Sequence, residues 1–286
     1  MFSNLSPKQI LQIARHNERP CTLGICKLLF DNFIELHGDR CFGDDKSIVC
    51  GLGSFNSLRM VVIGHQQGHN TKERLHRNFG MPHPEGYRKA LRFMHMAEKF
   101  GLPIVTFIDT PGAYPGKEAE ERGQAEAIAR NLKEMAKLTV PVITFVIGEG
   151  GSGGALGIAV SNKIYMLEYA VYSVISPEGC AAILFKDAKK AAYAAEKLKI
   201  TAKDILDLGI ADGILEEPLG GAHNNWEAVA KTIQNTIEKD LMVYKSLSGQ
   251  QIANERYEKF RRLGKFEEKI QKKTTKDSGK KTIKKI

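Results

Sequence analysis

Pro103-Ile-Val-Thr-Phe-Ile-Asp-Thr-Pro-Gly-Ala-Tyr-Pro-Gly116 and Pro141-Val-Ile-Thr-Phe-Val-Ile-Gly-Glu-Gly-Gly-Ser-Gly-Gly154 are two copies of one strand-and-turn unit, 38 residues apart. Thr106 and Phe107 recur as Thr144 and Phe145. Each copy is a short β-branched and apolar run between Pro and Gly, the pattern of a parallel strand buried on both faces. A helix signal follows each turn, so strand, helix and strand alternate and the class is α/β. Adjacent strands ending in glycine turns bring bare backbone N–H groups to one spot, where they stabilise a developing oxyanion without a reactive side chain.

Working outward, Gly86–Phe100 carries apolar residues at helical spacing (Tyr87, Leu91, Met94, Ala97) and stops at Gly101-Leu-Pro103. Residues 118–138 read as one helix, with glutamates at its start and lysines near its end, as the helix dipole prefers. Residues 152–160 read as a short Ala/Gly helix. Upstream, Ser47–Phe55 and Leu58–Gly64 are strands joined through Asn56-Ser57 as a hairpin. Ser6–Arg15 and Leu23–Leu36 read as helices, and the polar stretch His65–Glu85 as a long aperiodic loop of the kind that carries function. Downstream, strands are expected at 163–167 and 171–175, and helices at about 178–198, 201–208, 226–247 and 250–263.

The chain of 286 residues has room for one large core. No apolar run approaches the roughly 18 residues of a membrane span, and the first residues show no secretory or transit pattern, so the chain is expected to act where it is made. Five scattered cysteines contain no C-x-x-C pair, which argues against a zinc ribbon and for free thiols. The formal charge of +9 suggests nucleic acid only until it is located. Residues 265–286 hold nine lysines against three acids, a net +6, which leaves +3 for the other 264 residues. Such a run reads as a solvated, disordered tail, and nucleic acid is not an expected partner.

The second turn also satisfies G-x-G-x-x-G as Gly148, Gly150 and Gly153, with Glu168 about 20 residues on. That is a formal dinucleotide fingerprint and the competing reading, a Rossmann-type NAD-dependent oxidoreductase. Its mid-chain position weakens it, and it leaves the Pro111-Gly112 turn unexplained. A P-loop fails because Gly154-Ala155 stands where Lys-Ser/Thr is required. Tight helix–strand packing accounts for two of the seven glycines in these turns, by this reading. Ser152 has no triad partners in view, and His65, His69, His76, His83 and His95 form no metal set and read as exposed loop residues. The scarcity of acids, bases and nucleophiles suits chemistry in which main-chain dipoles hold the charge.

Several long motifs belong together: Gly64-His-Gln-Gln-Gly68, Arg77-Asn-Phe-Gly-Met-Pro82, Pro84-Glu-Gly-Tyr-Arg-Lys-Ala90, Glu120-Glu-Arg-Gly-Gln124, Tyr172-Ser-Val-Ile-Ser-Pro-Glu-Gly-Cys180 and Glu217-Pro-Leu-Gly-Gly-Ala-His223. With the two glycine turns, they make the chain, over about residues 5–262, resemble the carboxyltransferase alpha subunits of multi-subunit acetyl-CoA carboxylases. The resemblance implies a crotonase-like fold, ββα units stacked into a superhelix with flanking N- and C-terminal helices. The corresponding division is a helical segment at 1–36, a core at 37–222, C-terminal helices at 223–264 and the basic tail at 265–286. It also implies carboxyl transfer from carboxybiotin, on a biotin carboxyl carrier protein, to acetyl-CoA, with no covalently bound cofactor and no metal in this chain. Biotin carboxylase and a zinc-ribbon-bearing beta subunit, in an alpha2beta2 heterotetramer, are the implied partners, and a bacterial cytoplasm or plastid stroma the implied location. It assigns the oxyanion role to main-chain groups of Gly112, Ala113, Gly150, Gly151, Gly153 and Gly154.

Lys72, Arg77, Arg88 and Lys89, in or beside the long loop, are candidates for contacting CoA phosphates or the carboxylate; ordinary surface charge is the competing reading. Glu178 and Gly179 are candidate site-wall residues. A hydratase of the same fold is disfavoured because Ala155-Leu156 occupy the neighbourhood where a carboxylate is needed. A basic-tail RNA-binding or assembly protein is the remaining alternative.

Overall fold

The computed structural model describes residues 5–264. Helices α1 (Pro7–Ala14) and α2 (Thr22–Leu29) lead into strands β1 (Asn32–Glu35), β2 (Ile48–Phe55) and β3 (Leu58–His65). Next come α3 (Thr71–His76), α4 (Pro84–Phe100), β4 (Ile104–Thr110), α5 (Lys117–Glu121), α6 (Gln124–Met135), β5 (Val142–Gly151) and α7 (Ser152–Leu156). The chain continues through β6 (Lys163–Leu167), β7 (Val171–Ser173), α8 (Pro177–Phe185), α9 (Ala191–Leu198), α10 (Ala202–Asp207) and β8 (Gly213–Leu215). Helices α11 (Trp226–Tyr244) and α12 (Gly249–Arg261) follow. The Lys-rich stretch 265–286 lies outside the described residues.

The strands form an eight-stranded sheet, seven in the order β1-β2-β3-β4-β5-β6-β8 and the eighth, β7, paired with β5. The first three are an antiparallel meander and the rest run parallel from β3 onward. Asn56 and Ser57 both take positive φ, 47° and 64°, as a two-residue hairpin turn requires. The two copies of the repeat lie side by side, with Thr106 opposite Thr144 and Phe107 opposite Phe145. Their rings stack at 5.8 Å, and Tyr165 continues the stack at 5.6 Å from Phe145. β5 then changes partner along its length: Ile143–Val146 pair with β6, whereas Glu149–Gly151 pair with β7. One apolar cluster runs from Ile25 in α2 to Leu241 in α11, so the terminal helices share the sheet's core. Arg256 of α12 is fully buried and donates to the carbonyls of Met135, Leu138 and Val140 and to Asn162 Oδ1, fastening the last helix beneath β5 and β6.

Several boundaries differ from the sequence reading. The helix expected over Leu23–Leu36 ends at Leu29, and Asn32–Glu35 is an edge strand of alternating exposure. Gly51 and Gly53 on β2 leave room for the Phe33 and Phe30 rings, a tertiary fit that overrides helix propensity. The 118–138 helix is broken at Gly123, which has φ of 83°. Residues 178–198 form two helices separated at Lys186, at φ of 53°. The aperiodic stretch contains α3, capped by Asn70. His65 is not exposed: it ends β3 fully buried, and burial pushes its imidazole down to about 4, so the ring is neutral.

Candidate active site

The parallel pairing of β4 and β5 sets both glycine turns together at the carboxyl ends of these central strands, along one rim of the sheet. A methyl group at Gly154 would overlap the Ala113 nitrogen and the Gly112 backbone, and one at Gly151 would overlap the Pro111 carbonyl. The two turns are therefore in main-chain contact, and only glycine permits the approach. Gly112 also needs the conformational freedom, with φ of 146°. Close packing is required at Gly116, Gly148, Gly150, Gly151 and Gly154, more glycines than the sequence reading allowed. Gly153 differs: a side chain there would meet nothing nearer than Ile128 Cγ2 at 3.9 Å.

Anchors hold both turns. Gln124 Nε2 donates to the carbonyls of Pro82 and Tyr114, and the Tyr114 N–H donates to Pro82. Tyr87 donates its hydroxyl to the Gly154 carbonyl at 3.2 Å, and Asn131 donates to the Gly157 carbonyl at 3.0 Å. The Gly112 N–H is taken up by Thr110 Oγ1 at 3.1 Å. The Ala113 N–H has no hydrogen-bond acceptor among the described residues. Gly153 lies in the first turn of α7, where N–H groups have no partner within the helix. Pro111 and Ser152 are exposed and Gly112, Ala113 and Gly153 partly so, leaving an open rim.

A charged network backs this rim. Arg15 grips Glu149 through Nε at 2.8 Å and Nη2 at 2.6 Å, and reaches Glu178 at 2.9 Å. Its bond to Glu149 raises the guanidinium above its ordinary value. Arg19 donates to the Ile147 carbonyl and forms a buried pair with Glu217 at 2.7 Å. Asp109 accepts the Glu149 N–H at 3.1 Å and Gln67 Nε2 at 3.0 Å, and desolvation pushes its carboxyl up to about 6. None of Arg15, Arg19, Asp109 or Glu149 stood out in the sequence, because their partners lie 40 to 198 residues away.

The other expected residues separate into groups. Gly112, Ala113, Gly150, Gly151, Gly153 and Gly154 are brought together. Arg88 and Lys89 are not available to a ligand: Lys89 is 1% exposed, with Nζ on Asp44 at 2.7 Å and the Asp45 carbonyl at 2.6 Å. Arg88 is held by Asp39 and Glu85. The acids of the 37–45 bend thus account for both cations. Lys72 and Arg77 line a cleft of ≈ 1030 Å³ away from the turns, between α2, α3 and the start of α11. Glu178 joins the Arg15 network, while the Gly179 N–H caps α8 on Ser176 Oγ at 3.1 Å. Gly148 and Gly150 lie inside β5 rather than in a phosphate loop, and make room for Asp109 and Tyr172. That removes the basis of the dinucleotide reading. No group of three or more possible metal ligands occurs among the described residues.

Solved structures share this architecture. The transcarboxylase 12S core superposes with a TM-score of 0.66 at 18% identity, covering 85% of this chain and 46% of the other. The beta subunit of P. aeruginosa geranyl-CoA carboxylase superposes with a TM-score of 0.60 at 16% identity, covering 82% of this chain and 44% of that one. These superpositions show the fold, a crotonase-like α/β one. The family model described as acetyl co-enzyme A carboxylase carboxyltransferase-like matches residues 1–264. The acetyl-coenzyme A carboxylase carboxyl transferase subunit alpha of Geobacter sulfurreducens is 60% identical over 266 residues, 93% of this chain and 83% of that one. Its counterpart from Listeria welshimeri is 59% identical over 267 residues, 93% and 84% of the two chains. The chain belongs to the family of acetyl-CoA carboxylase carboxyltransferase alpha subunits.

Proposed function

We propose that this chain supplies the biotin-side oxyanion site of an acetyl-CoA carboxyltransferase, with the Ala113 and Gly153 N–H groups as its donors. The observation that carries the reading is the main-chain contact between the turns, which sets a free Ala113 donor beside the first turn of α7. In this reading both N–H groups point at the ureido oxygen of carboxybiotin, a substrate delivered on the carrier protein. As the N–CO2 bond breaks, negative charge gathers on that oxygen and the two donors stabilise it. The released ureido anion takes a methyl proton from acetyl-CoA; the resulting enolate carbon bonds to CO2 and malonyl-CoA leaves.

The beta subunit supplies the acyl-CoA half of the site in this account. Its docking face is the exposed apolar surface beside the turns, Val174 at 77%, Ile183 at 68% and Leu184 at 69% exposure. This surface continues from β7, where Ser173 pairs with Gly151. An alpha2beta2 assembly in a bacterial cytoplasm or plastid stroma fits this arrangement, and no helix among the described residues is long and apolar enough to cross a membrane. The test is co-purification with a beta subunit, then assay of malonyl-CoA formation from acetyl-CoA and carboxybiotin. Turnover that needs both subunits and biotin supports the proposal; absence of turnover by the assembled pair overturns it.

A further inference from the structure

Outside the glycine turns, the cleft of ≈ 1030 Å³ holds a second arrangement of chemical groups. Cys21 Sγ stands 3.2 Å from His69 Nε2, and the far side of the ring, Nδ1, lies 2.8 Å from the Asn17 carbonyl. A carbonyl only accepts, so Nδ1 carries a proton and Nε2 faces the sulfur. A nucleophile, a base within reach and a third group orienting that base are the three parts of an activated thiol. Cys21 also occupies the N-cap of α2, whose positive end favours a thiolate.

Electrostatics agree with the geometry. Burial works against the Cys21 thiolate, but the hydrogen bonds from His69 and Gln66 bring the thiol below its ordinary value. The bond to Cys21 outweighs burial at His69 and lifts the imidazole to about 9. Cys26 and Cys50 have no such partner, and burial pushes both thiols up, Cys50 to about 12. Cys21 is 6% exposed, and its small opening faces the cleft.

We propose that Cys21 and His69 form a thiolate–imidazolium pair, an oxidative modification site that reacts with small hydroperoxides entering this cleft. The sulfur attacks the terminal oxygen of R–O–O–H; an S–O bond forms and the O–O bond breaks. Sulfur is oxidised by two electrons to the sulfenic acid and the peroxide is reduced. The departing alkoxide takes the Nε2 proton of His69 and leaves as R–OH. Two equivalents of a low-molecular-weight thiol restore Cys21, through a mixed disulfide and with loss of water.

The full-length chain is exposed to hydrogen peroxide at neutral pH with dimedone present, and sulfenic adducts at each cysteine are timed by peptide mass spectrometry. Cys21 is expected to be labelled at least about tenfold faster than Cys26 and Cys50. In His69→Gln, checked for native circular dichroism, its rate is expected to fall to theirs, while that of exposed Cys41 stays unchanged. Labelling of wild-type Cys21 no faster than Cys26 and Cys50 overturns the proposal. So does an unchanged Cys21 rate in a folded H69Q protein.

Discussion

The Asp109 carboxylate accepts the main-chain N–H of Glu149 at 3.1 Å, tying the end of β4 to the end of β5 just ahead of the two glycine turns. Desolvation raises its pKa to about 6, and the nearby Glu149 carboxylate adds to the rise. The ordinary carboxyl value is about 4, so the native state keeps this proton to higher pH than the unfolded chain does. Its contribution to stability is full below about pH 4 and is lost as pH climbs through about 6. Asp109→Asn removes that dependence. The stability of wild type minus that of the variant, from urea unfolding, should fall between pH 4 and 6 and then level off. A difference constant with pH contradicts the assignment.

Thr106 and Thr144 share one hydrogen bond at 2.7 Å, with both side chains fully buried. Thr144→Val leaves the Thr106 hydroxyl without a partner and should cost about 1–3 kcal/mol. The double variant T106V/T144V removes both polar groups and should be clearly less destabilised than the sum of the singles. Additive losses in denaturant unfolding would show that the pair is not coupled.

Arg256→Met is expected to destabilise the chain by at least about 3 kcal/mol, because it abandons three buried carbonyls and Asn162 Oδ1. Burial draws the guanidinium down to about 10, still charged at neutral pH. Thermal unfolding measures the loss; a variant as stable as wild type contradicts the view that α12 is fastened through this residue.

Leu184→Asp places a charge on the exposed apolar face of α8 and touches no core residue. Folding of the isolated chain should be unaffected, and affinity for the beta subunit should drop at least about tenfold, a loss of about 1.4 kcal/mol. Isothermal titration distinguishes this from wild-type affinity, the outcome that places the beta subunit elsewhere.

The strand repeat was legible because two buried parallel strands carry their whole environment in their own residues. Thr106–Phe107 and Thr144–Phe145 pair in the register the sequence suggests. The glycine turns were legible for the same reason. What escaped was everything dictated by a distant partner. β1 looked helical because the ring-sized gaps at Gly51 and Gly53 lie on another strand. Arg88 and Lys89 looked like ligand contacts because the acids that neutralise them sit in the 37–45 bend. The glycines of the second turn, Gly148 to Gly154, looked like a single functional loop, whereas four of them, Gly148, Gly150, Gly151 and Gly154, are demanded by close packing, and only at Gly153 would a Cβ meet no neighbour closer than 3.9 Å. Bulky replacements at Gly151 and Gly153, which look equivalent in sequence, therefore differ: the first collides with the Pro111 backbone and perturbs the fold.

Gly153→Val thus gives the most direct test of the oxyanion account, since a Cβ there meets only Ile128 Cγ2, at an ordinary contact distance of 3.9 Å, whereas one at Gly151 collides with the main chain. The measurement is kcat for malonyl-CoA formation by the complex with the beta subunit, alongside subunit affinity and the melting temperature. Loss of one productive donor contact should lower kcat by about 10²–10³, with affinity and melting temperature close to wild type. Wild-type kcat in an intact complex would contradict the claim that these amides hold the charge.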